Sequence, residues 1–357
     1  MKRRSFIVGT FALSACSPAQ RVIETPSAPL IPSLRMPADA PLEVWARHLD
    51  IERMRGSPNI LALSAGGEDG AFGAGVLTGW TQRGDRPEFD VVTGVSTGAL
   101  MAPFAFLGPD RDDALRRIYT TYSGEDILEN RGLSGVFSDA LASSKPMERV
   151  IERHLPGSLI DKIAEEWRTG RRLFVVTSNL DTRRAMVWDM GAIADARQHE
   201  LFRAVTLGSA SIPGLFPPVN LAVGDVTEAH LYGGVHMQLL AVPQAAFSNM
   251  GQFTGRRGSL YILVNNTLEA SPAPVARRSI PIMQQTFSTM IRSSAAQSVA
   301  IARRYAGRTD MRFAVATIGT DFDVPWDPSV RFSQDYMTPL FEYGRTRALS
   351  GDAWARS

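Results

Sequence analysis

Ser96 stands at the centre of the pentapeptide Gly94-Val95-Ser96-Thr97-Gly98. A β-type run, FDVVT, leads into it, and a helix-compatible run, TGALMAPFAFL, leads out. A strand, a sharp turn and a helix in this order expose a serine hydroxyl at a helix N-terminus, which favours developing negative charge. The pattern predicts that Ser96 is a nucleophile and that Gly94 and Gly98 form the tight elbow around it. Because a lone G-x-S-x-G match is weak, a glycine-rich turn with an incidental serine is the alternative.

A second glycine-rich segment, LALSAGGEDGAFGAGVL, lies upstream between a predicted strand and a predicted helix. Its free backbone N–H groups could hold a phosphate or form an oxyanion hole. No Gly-Lys-Ser/Thr follows, which excludes a Walker A loop, and Ala65 replaces the first glycine of a dinucleotide fingerprint. The neighbouring G-x-S-x-G favours the oxyanion hole.

The elements that would position these loops alternate along the chain. Strands are predicted at residues 59–64, 89–93, 173–177, 261–265 and 311–318, and helices at residues 70–82 and from about 98 to 107. Alternation over most of the chain predicts a single α/β domain with helices on both faces of a mainly parallel sheet. The segment 281–305 carries Met283, Phe287, Met290 and Ile291 at helical spacing, which predicts a core-packing helix rather than a membrane-binding one.

The N-terminus has the pattern of an export signal. Three basic residues precede an apolar stretch too short to span a bilayer, and Leu13-Ser14-Ala15-Cys16 resembles the lipobox of bacterial lipoproteins. We therefore predict a signal peptide at 1–15, lipidation of Cys16, a proline-rich tether over 16–42 and a folded domain over 43–355. A signal whose cleavage site merely includes a cysteine is the alternative. The export route, Sec or twin-arginine, stays open.

Composition narrows the choice of partners. The chain of 357 residues has a formal net charge of +2, and loss of residues 1–15 would leave 35 basic and 36 acidic residues. A nearly neutral domain gives no electrostatic reason to expect nucleic acid. The five histidines show no metal-ligand spacing, so no metal and no cofactor are predicted.

Five stretches together resemble the patatin-like phospholipase family: LSAGGEDGAFGAGVLTGW, FDVVTGVSTGAL, TSNLDTRRAMVWDMGAIA, ASIPGLFPPV and LYGGVHMQ. The resemblance covers roughly residues 56–350. It implies a three-layer α/β/α fold, acyl esters of glycerolipids as substrates and Ser96 as the nucleophile. It also implies that the N–H groups of Gly66, Gly67 and Thr97 form the oxyanion hole.

One residue departs from the family pattern. The family completes a Ser–Asp dyad with the aspartate of a D-G-G or D-G-A motif, but this position reads Tyr232-Gly233-Gly234. Tyrosine, with a reference pKa of about 10, is a poor base at pH 7. His230 is the first candidate for a substitute base, because two residues apart on a strand share one face. His236, Glu228 and Asp225 are further candidates for the base. Asp181 and Asp189 are expected to have structural roles.

Three functions follow. The first is a membrane-anchored serine acyl hydrolase with Ser96 as nucleophile and an atypical base. The second is a catalytically impaired relative that still binds acyl chains or membrane lipid. The third is an envelope interaction module with neither function. The expected location is the bacterial cell envelope at the periplasmic face of the outer membrane, because Ser17 is not the aspartate associated with inner-membrane retention.

Overall fold

A computed structural model describes residues 34–49, 56–130, 132, 138–248, 258–269, 275, 277–327 and 329–356. Its centre is a row of five parallel strands in the order β6-β3-β2-β10-β11. All five are rich in Val, Leu, Ile and Phe and are largely buried, as strands covered on both faces must be. They are β2 (Asn59–Leu63), β3 (Val91–Val95), β6 (Arg172–Asn179), β10 (Ser259–Val264) and β11 (Arg312–Thr317).

Antiparallel strands extend this row. β7 (Arg184–Asp189) pairs with β6, and β1 (Arg35–Pro37) pairs with β7. β9 (Val226–Tyr232) pairs with the last residues of β6, and β8 (Val219–Val223) pairs with β9. β12 (Ala355–Arg356) pairs with β11, while β4 (Glu129–Asn130) and β5 (Ala142–Ser143) form a separate ribbon.

Helices cover both faces of the sheet and enclose two hydrophobic cores. The larger core contains the residues of most helices, including the two that follow the glycine-rich loops. The smaller core lies on the other face, beneath the first helix and the long one near residue 300. The helices are α1 (Leu42–His48), α2 (Gly70–Arg83), α3 (Thr97–Leu107), α4 (Asp112–Thr121), α5 (Gly124–Ile127), α6 (Lys145–His154), α7 (Gly157–Arg168), α8 (Met190–Asp195), α9 (His199–Ala210), α10 (Gln244–Ser248), α11 (Ser279–Arg308) and α12 (Gln334–Ser350).

The predicted three-layer α/β/α fold with a mainly parallel sheet is confirmed. The folded part begins before residue 43, because β1 joins the sheet and Arg35 forms a buried ion pair with Glu228. The proposed signal peptide and Cys16 lie outside the described residues.

The prediction that the segment 281–305 packs in the core is wrong for its first half. Ala295, Val299 and Ala302 are buried, but Met283 is 69% and Met290 is 64% exposed. The segment is helical, as its apolar period predicts. A periodic apolar stripe identifies a face of a helix, however, and does not say what covers that face.

Candidate active site

Ser96 occupies the turn between β3 and α3. Its backbone is at φ 56° and ψ −121°, a conformation that L-residues rarely adopt. Such an outlier requires support from its surroundings, and here the turn is buried between the strand and the helix. Ser96 is therefore held in a strained elbow at the N-terminus of an 11-residue helix.

Close backbone approaches explain the elbow glycines. A Cβ at Gly94 would overlap the backbone of Gly98, and a Cβ at Gly98 would overlap the backbone of Leu63, the last residue of β2. The Ser96 N–H donates to Ser209 Oγ at 2.9 Å, and Ser209 Oγ donates to the Val176 carbonyl at 2.6 Å. Ser209 thus ties the elbow to β6 from α9, a role that nothing in its sequence context indicated.

The upstream glycine loop lies against the elbow. A Cβ at Gly70, the first residue of α2, would overlap the Thr97 side chain. Within the described residues, the hydrogen bonds leave the backbone N–H groups of Gly66, Gly67 and Thr97 unused. Gly67, Thr97 and Ser96 all line one pocket, whereas Gly66 packs against Asn265. The fold therefore brings the predicted nucleophile next to unused backbone donors.

The C-terminal part of the chain clamps this loop. Arg331 forms a bidentate ion pair with Glu68, both distances being 2.8 Å, and Trp326 Nε1 donates to the same carboxylate at 2.8 Å. The Tyr336 hydroxyl donates to Asp69 at 2.7 Å. Burial and the nearby Glu68 charge raise the pKa of Asp69 to about 7, although the bond from Tyr336 opposes this shift. These contacts join residues more than 250 positions apart, so no local sequence pattern predicts them.

The pocket beside Ser96 is apolar. Its walls come mainly from α3, α4, α6 and the segments after α9 and before α12. Most of its apolar side chains belong to the larger core, and Tyr122 and His154 also line it. Tyr119 closes one side, with its hydroxyl 2.7 Å from Thr97 Oγ1. Apolar side chains of this kind can bind a hydrocarbon chain and exclude water from it. The apolar lining includes Leu100, Phe104, Ile118, Met147, Ile151 and Phe216.

The backbone of Tyr232 lies next to the elbow. β9 pairs with β6 just beyond the point where β3 ends, so Tyr232 is opposite Thr177 and Val95 is opposite Val176. The side chain, however, lies in the smaller core on the other face of the sheet, whereas the pocket belongs to the larger one. The Tyr232 hydroxyl donates to Gln238 Oε1 at 3.1 Å, and burial raises the pKa of the phenol. Tyr232 is consequently a neutral hydrogen-bond donor.

His230 lies in a separate buried network. Its Nδ1 is 2.8 Å from Thr177 Oγ1, and its Nε2 is 3.0 Å from Glu228 Oε2. Burial lowers the pKa of this imidazole, which keeps it neutral. Because both ring nitrogens have other partners, the structure does not bring His230 to Ser96 as a substitute base.

Glu228 is equally engaged. Arg35 donates to both of its oxygens, at 2.5 and 2.8 Å, and Asn179 donates at 2.7 Å. Burial opposes ionisation, but the hydrogen bonds from Arg35 and His230 prevail and lower the pKa of Glu228 to about 2. This carboxylate is a structural anion that fastens β1 and β6 to β9.

The remaining sequence candidates also have structural contacts. His236 Nδ1 is 2.8 Å from Ser178 Oγ, and its Nε2 is 3.1 Å from the Arg183 carbonyl. Asp181 accepts from the Ala229 N–H at 2.8 Å, and Asp189 caps α8 by accepting from the Ala192 N–H at 3.0 Å. The structural roles expected for Asp181 and Asp189 agree with these bonds.

No group of three or more His, Cys, Asp or Glu side chains among the described residues is arranged to hold a metal ion. No helix within the same ranges is long and apolar enough to cross a membrane.

A glycine-flanked serine on a strained elbow in an α/β/α domain defines the class of serine acyl hydrolases with a nucleophile elbow. Within that class, the family model "Patatin-like phospholipase" matches residues 61–238, and the chain belongs to this family. Patatin-like phospholipases act on acyl esters of lipids, which places the chain among lipid acyl hydrolases in general.

A solved structure, that of VipD from Legionella pneumophila, is similar with a TM-score of 0.42 and 12% sequence identity. The similarity covers 84% of this chain and 68% of that chain. No curated protein matches this sequence.

Proposed function

We propose that this protein hydrolyses acyl esters of membrane lipids, with Ser96 as the nucleophile. The observation that carries the proposal is the position of Ser96. It lies on a strained elbow, in the wall of an apolar pocket that Gly67 and Thr97 also line. A carbonyl carbon placed at Ser96 would have its oxygen near unused backbone donors and its hydrocarbon chain in the pocket.

In the proposed reaction, Ser96 Oγ attacks the ester carbonyl and forms a tetrahedral oxyanion. The N–H groups of Gly67 and Thr97, with Gly66 beside them, donate to that oxygen. The tetrahedral intermediate then collapses to an acyl ester on Ser96, and the alcohol leaves with the proton that the Ser96 hydroxyl gave up. Water next attacks this acyl ester, which releases the fatty acid and returns a proton to Ser96 Oγ. A positioned base contributes about 10²–10⁴-fold. Since Tyr232 does not supply one, we propose turnover below that of a complete dyad.

A second candidate function rests on Tyr232. Its side chain is buried in the smaller core and bonds to Gln238, so no carboxylate stands at the dyad position. In this reading the pocket still binds an acyl chain, but the protein does not turn it over. An oxyanion hole alone can retain about 10³–10⁴-fold catalysis over water, so slow hydrolysis of activated esters fits both candidates.

The deciding experiment measures hydrolysis of a short-chain p-nitrophenyl ester and of a phospholipid by the wild type and by Ser96→Ala. Loss of both activities in Ser96→Ala supports the hydrolase. Equal background rates on both substrates contradict it. Retention of fatty-acid binding in that case would favour the second candidate.

We also propose that lipidated Cys16 holds the domain at the envelope membrane, on the basis of the lipobox-like residues 13–16. Metabolic labelling with a palmitate analogue in a bacterial host should mark the wild type and not Cys16→Ser. Equal labelling of the two would contradict the anchor.

A further inference from the structure

The helix α11 is much longer than the strands it covers. Its 30 residues extend about 45 Å, whereas the six residues of β10 extend about 20 Å. Among the helical residues whose burial is described, the buried ones lie between Ala295 and Ala306. The part before Ala295 therefore continues beyond the sheet for roughly 24 Å.

The direction of this projection is fixed by the topology. α11 joins the end of β10 to the start of β11, and these strands are parallel neighbours. Its N-terminus therefore lies at the carboxyl edge of the sheet. Ser96 follows β3 at the same edge, because β3, β2 and β10 are parallel. The projecting half of α11 thus lies on the side of the molecule where the proposed nucleophile is found.

The projecting half exposes large apolar side chains. Ile282 is 50%, Met283 69%, Phe287 39% and Met290 64% exposed. Met283, Phe287 and Met290 are at positions i, i+4 and i+7, which share one face of a helix. Soluble surfaces seldom keep such a stripe without a partner.

The charges of the helix indicate which partner. Ser279–Arg308 contains four arginines and no aspartate or glutamate. Arg304 and Arg308 are exposed and, by helical spacing, lie on the same face as Met283 and Met290. Arg277 and Arg278 are exposed just before the helix. A helix with apolar and basic residues and no acidic ones suits an anionic lipid surface.

We propose that the face formed by Met283, Phe287 and Met290 docks this protein onto anionic lipid bilayers. The apolar side chains enter the boundary between headgroups and acyl chains, and the arginines pair with lipid phosphates. This inference rests on the proposed function, because it adds the surface that would present the Ser96 edge of the sheet to lipid. It does not depend on catalysis, so the two can fail separately.

The test uses the full chain with Ser96→Ala, so that turnover plays no part. Flotation with vesicles of phosphatidylcholine plus phosphatidylglycerol is compared with flotation with phosphatidylcholine alone. Met283→Gln combined with Met290→Gln should weaken binding to the anionic vesicles about tenfold, since two apolar side chains no longer enter the bilayer. Added salt should weaken wild-type binding.

Two controls sharpen the result. Met283→Leu with Met290→Leu keeps the apolar face and should bind like the wild type. Leu349→Gln removes an exposed apolar side chain from α12 and should also leave binding unchanged. Undiminished binding by the double Gln variant would overturn the proposal. The proposal would also be overturned if light scattering showed that the protein is a dimer and that the double Gln variant dissociates this dimer but still binds vesicles. Ester hydrolysis by the double Gln variant with Ser96 intact tests the proposed function independently.

Discussion

The two sides of the candidate site differ in what they are built to do. On the β3 side, Ser96 is strained, lies at the pocket wall and adjoins backbone donors that have no other partner among the described residues. On the β9 side, His230 and Glu228 are buried and fully engaged, and Tyr232 donates to Gln238. Backbone strain and unpaired N–H donors are typical of a functional site, whereas buried polar groups with all of their hydrogen bonds formed are typical of structural positions.

The two sides differ although one sheet joins them, since β3 pairs with β6 and β6 pairs with β9. The backbone of Tyr232 pairs with Thr177, next to the Val95–Val176 pair at the elbow. Its side chain instead completes the smaller core. Substitutions on each side can test whether the two sides are as different as these contacts indicate.

The largest effect should come from the β9 side and should be on stability. Glu228→Gln leaves Arg35 buried without an opposite charge, and loss of one partner of a buried pair costs about 3–5 kcal/mol. Urea unfolding measures this change. The rate of ester hydrolysis per folded molecule should stay within a few-fold of the wild type. A large fall in that rate, with little loss of stability, would mean that Glu228 acts in catalysis.

The next effect should come from restoring a base. Tyr232→Asp should raise kcat for a p-nitrophenyl ester by about 10²-fold, the lower end for a positioned base. The gain should appear as pH rises through the carboxyl pKa, because only the carboxylate accepts the Ser96 proton.

Tyr232→Asn is the matched control, since it has nearly the same shape and no basic oxygen. An equal gain in Tyr232→Asn would attribute the effect to space in the site rather than to a base. Tyr232→Phe removes only the bond to Gln238 and should leave the rate unchanged.

A smaller effect should come from the support of the elbow. Ser209→Ala removes the acceptor of the Ser96 N–H and the donor to the Val176 carbonyl. We expect kcat to fall about tenfold with little change in KM, since a displaced nucleophile reacts more slowly but the pocket is intact. Ser211→Ala serves as a control, because Ser211 is equally buried and its hydroxyl bonds only within its own region, to Leu207. Equal losses in both variants would point to a general effect on α9.

The smallest effect should be a pH dependence of stability. Burial raises the pKa of Asp69 from 3.8 to about 7. The folded state therefore binds this proton more tightly than the unfolded state, and stability falls as pH rises between these values. Asp69→Asn should remove that fall and gain about 1 kcal/mol of stability on the wild type between pH 4 and pH 7, because solvent screens the partly exposed side chain. Parallel stability curves of the two proteins would contradict the raised pKa.

Local sequence patterns predicted the elements that depend on local sequence. The parallel strands and the helices after them were predicted within a few residues, because buried strands and glycine-rich turns have strong signatures. The short antiparallel strands β1, β8 and β12 were not predicted, since tertiary pairing rather than their own sequence makes them strands. The clamp of Arg331 on Glu68 and the tie from Ser209 to Ser96 join distant segments and leave no spacing to recognise.

The base was the hardest part to predict. Alternation along a strand put His230 and Tyr232 on one face, but Tyr232 ends its strand at φ −31° and ψ 113°, where the chain turns and its ring enters the other core. Strand periodicity fails at a strand end, which is also where the site lies.

The central claim is that Ser96 is a formed nucleophile that lacks its base. The most direct measurement is the rate at which a fluorophosphonate labels Ser96, followed by intact mass in the wild type, Tyr232→Asp and Ser96→Ala. We predict slow labelling of the wild type at one site, labelling at least tenfold faster in Tyr232→Asp, and none in Ser96→Ala. Equal rates in folded wild type and Tyr232→Asp, or labelling that persists in Ser96→Ala, would contradict the claim.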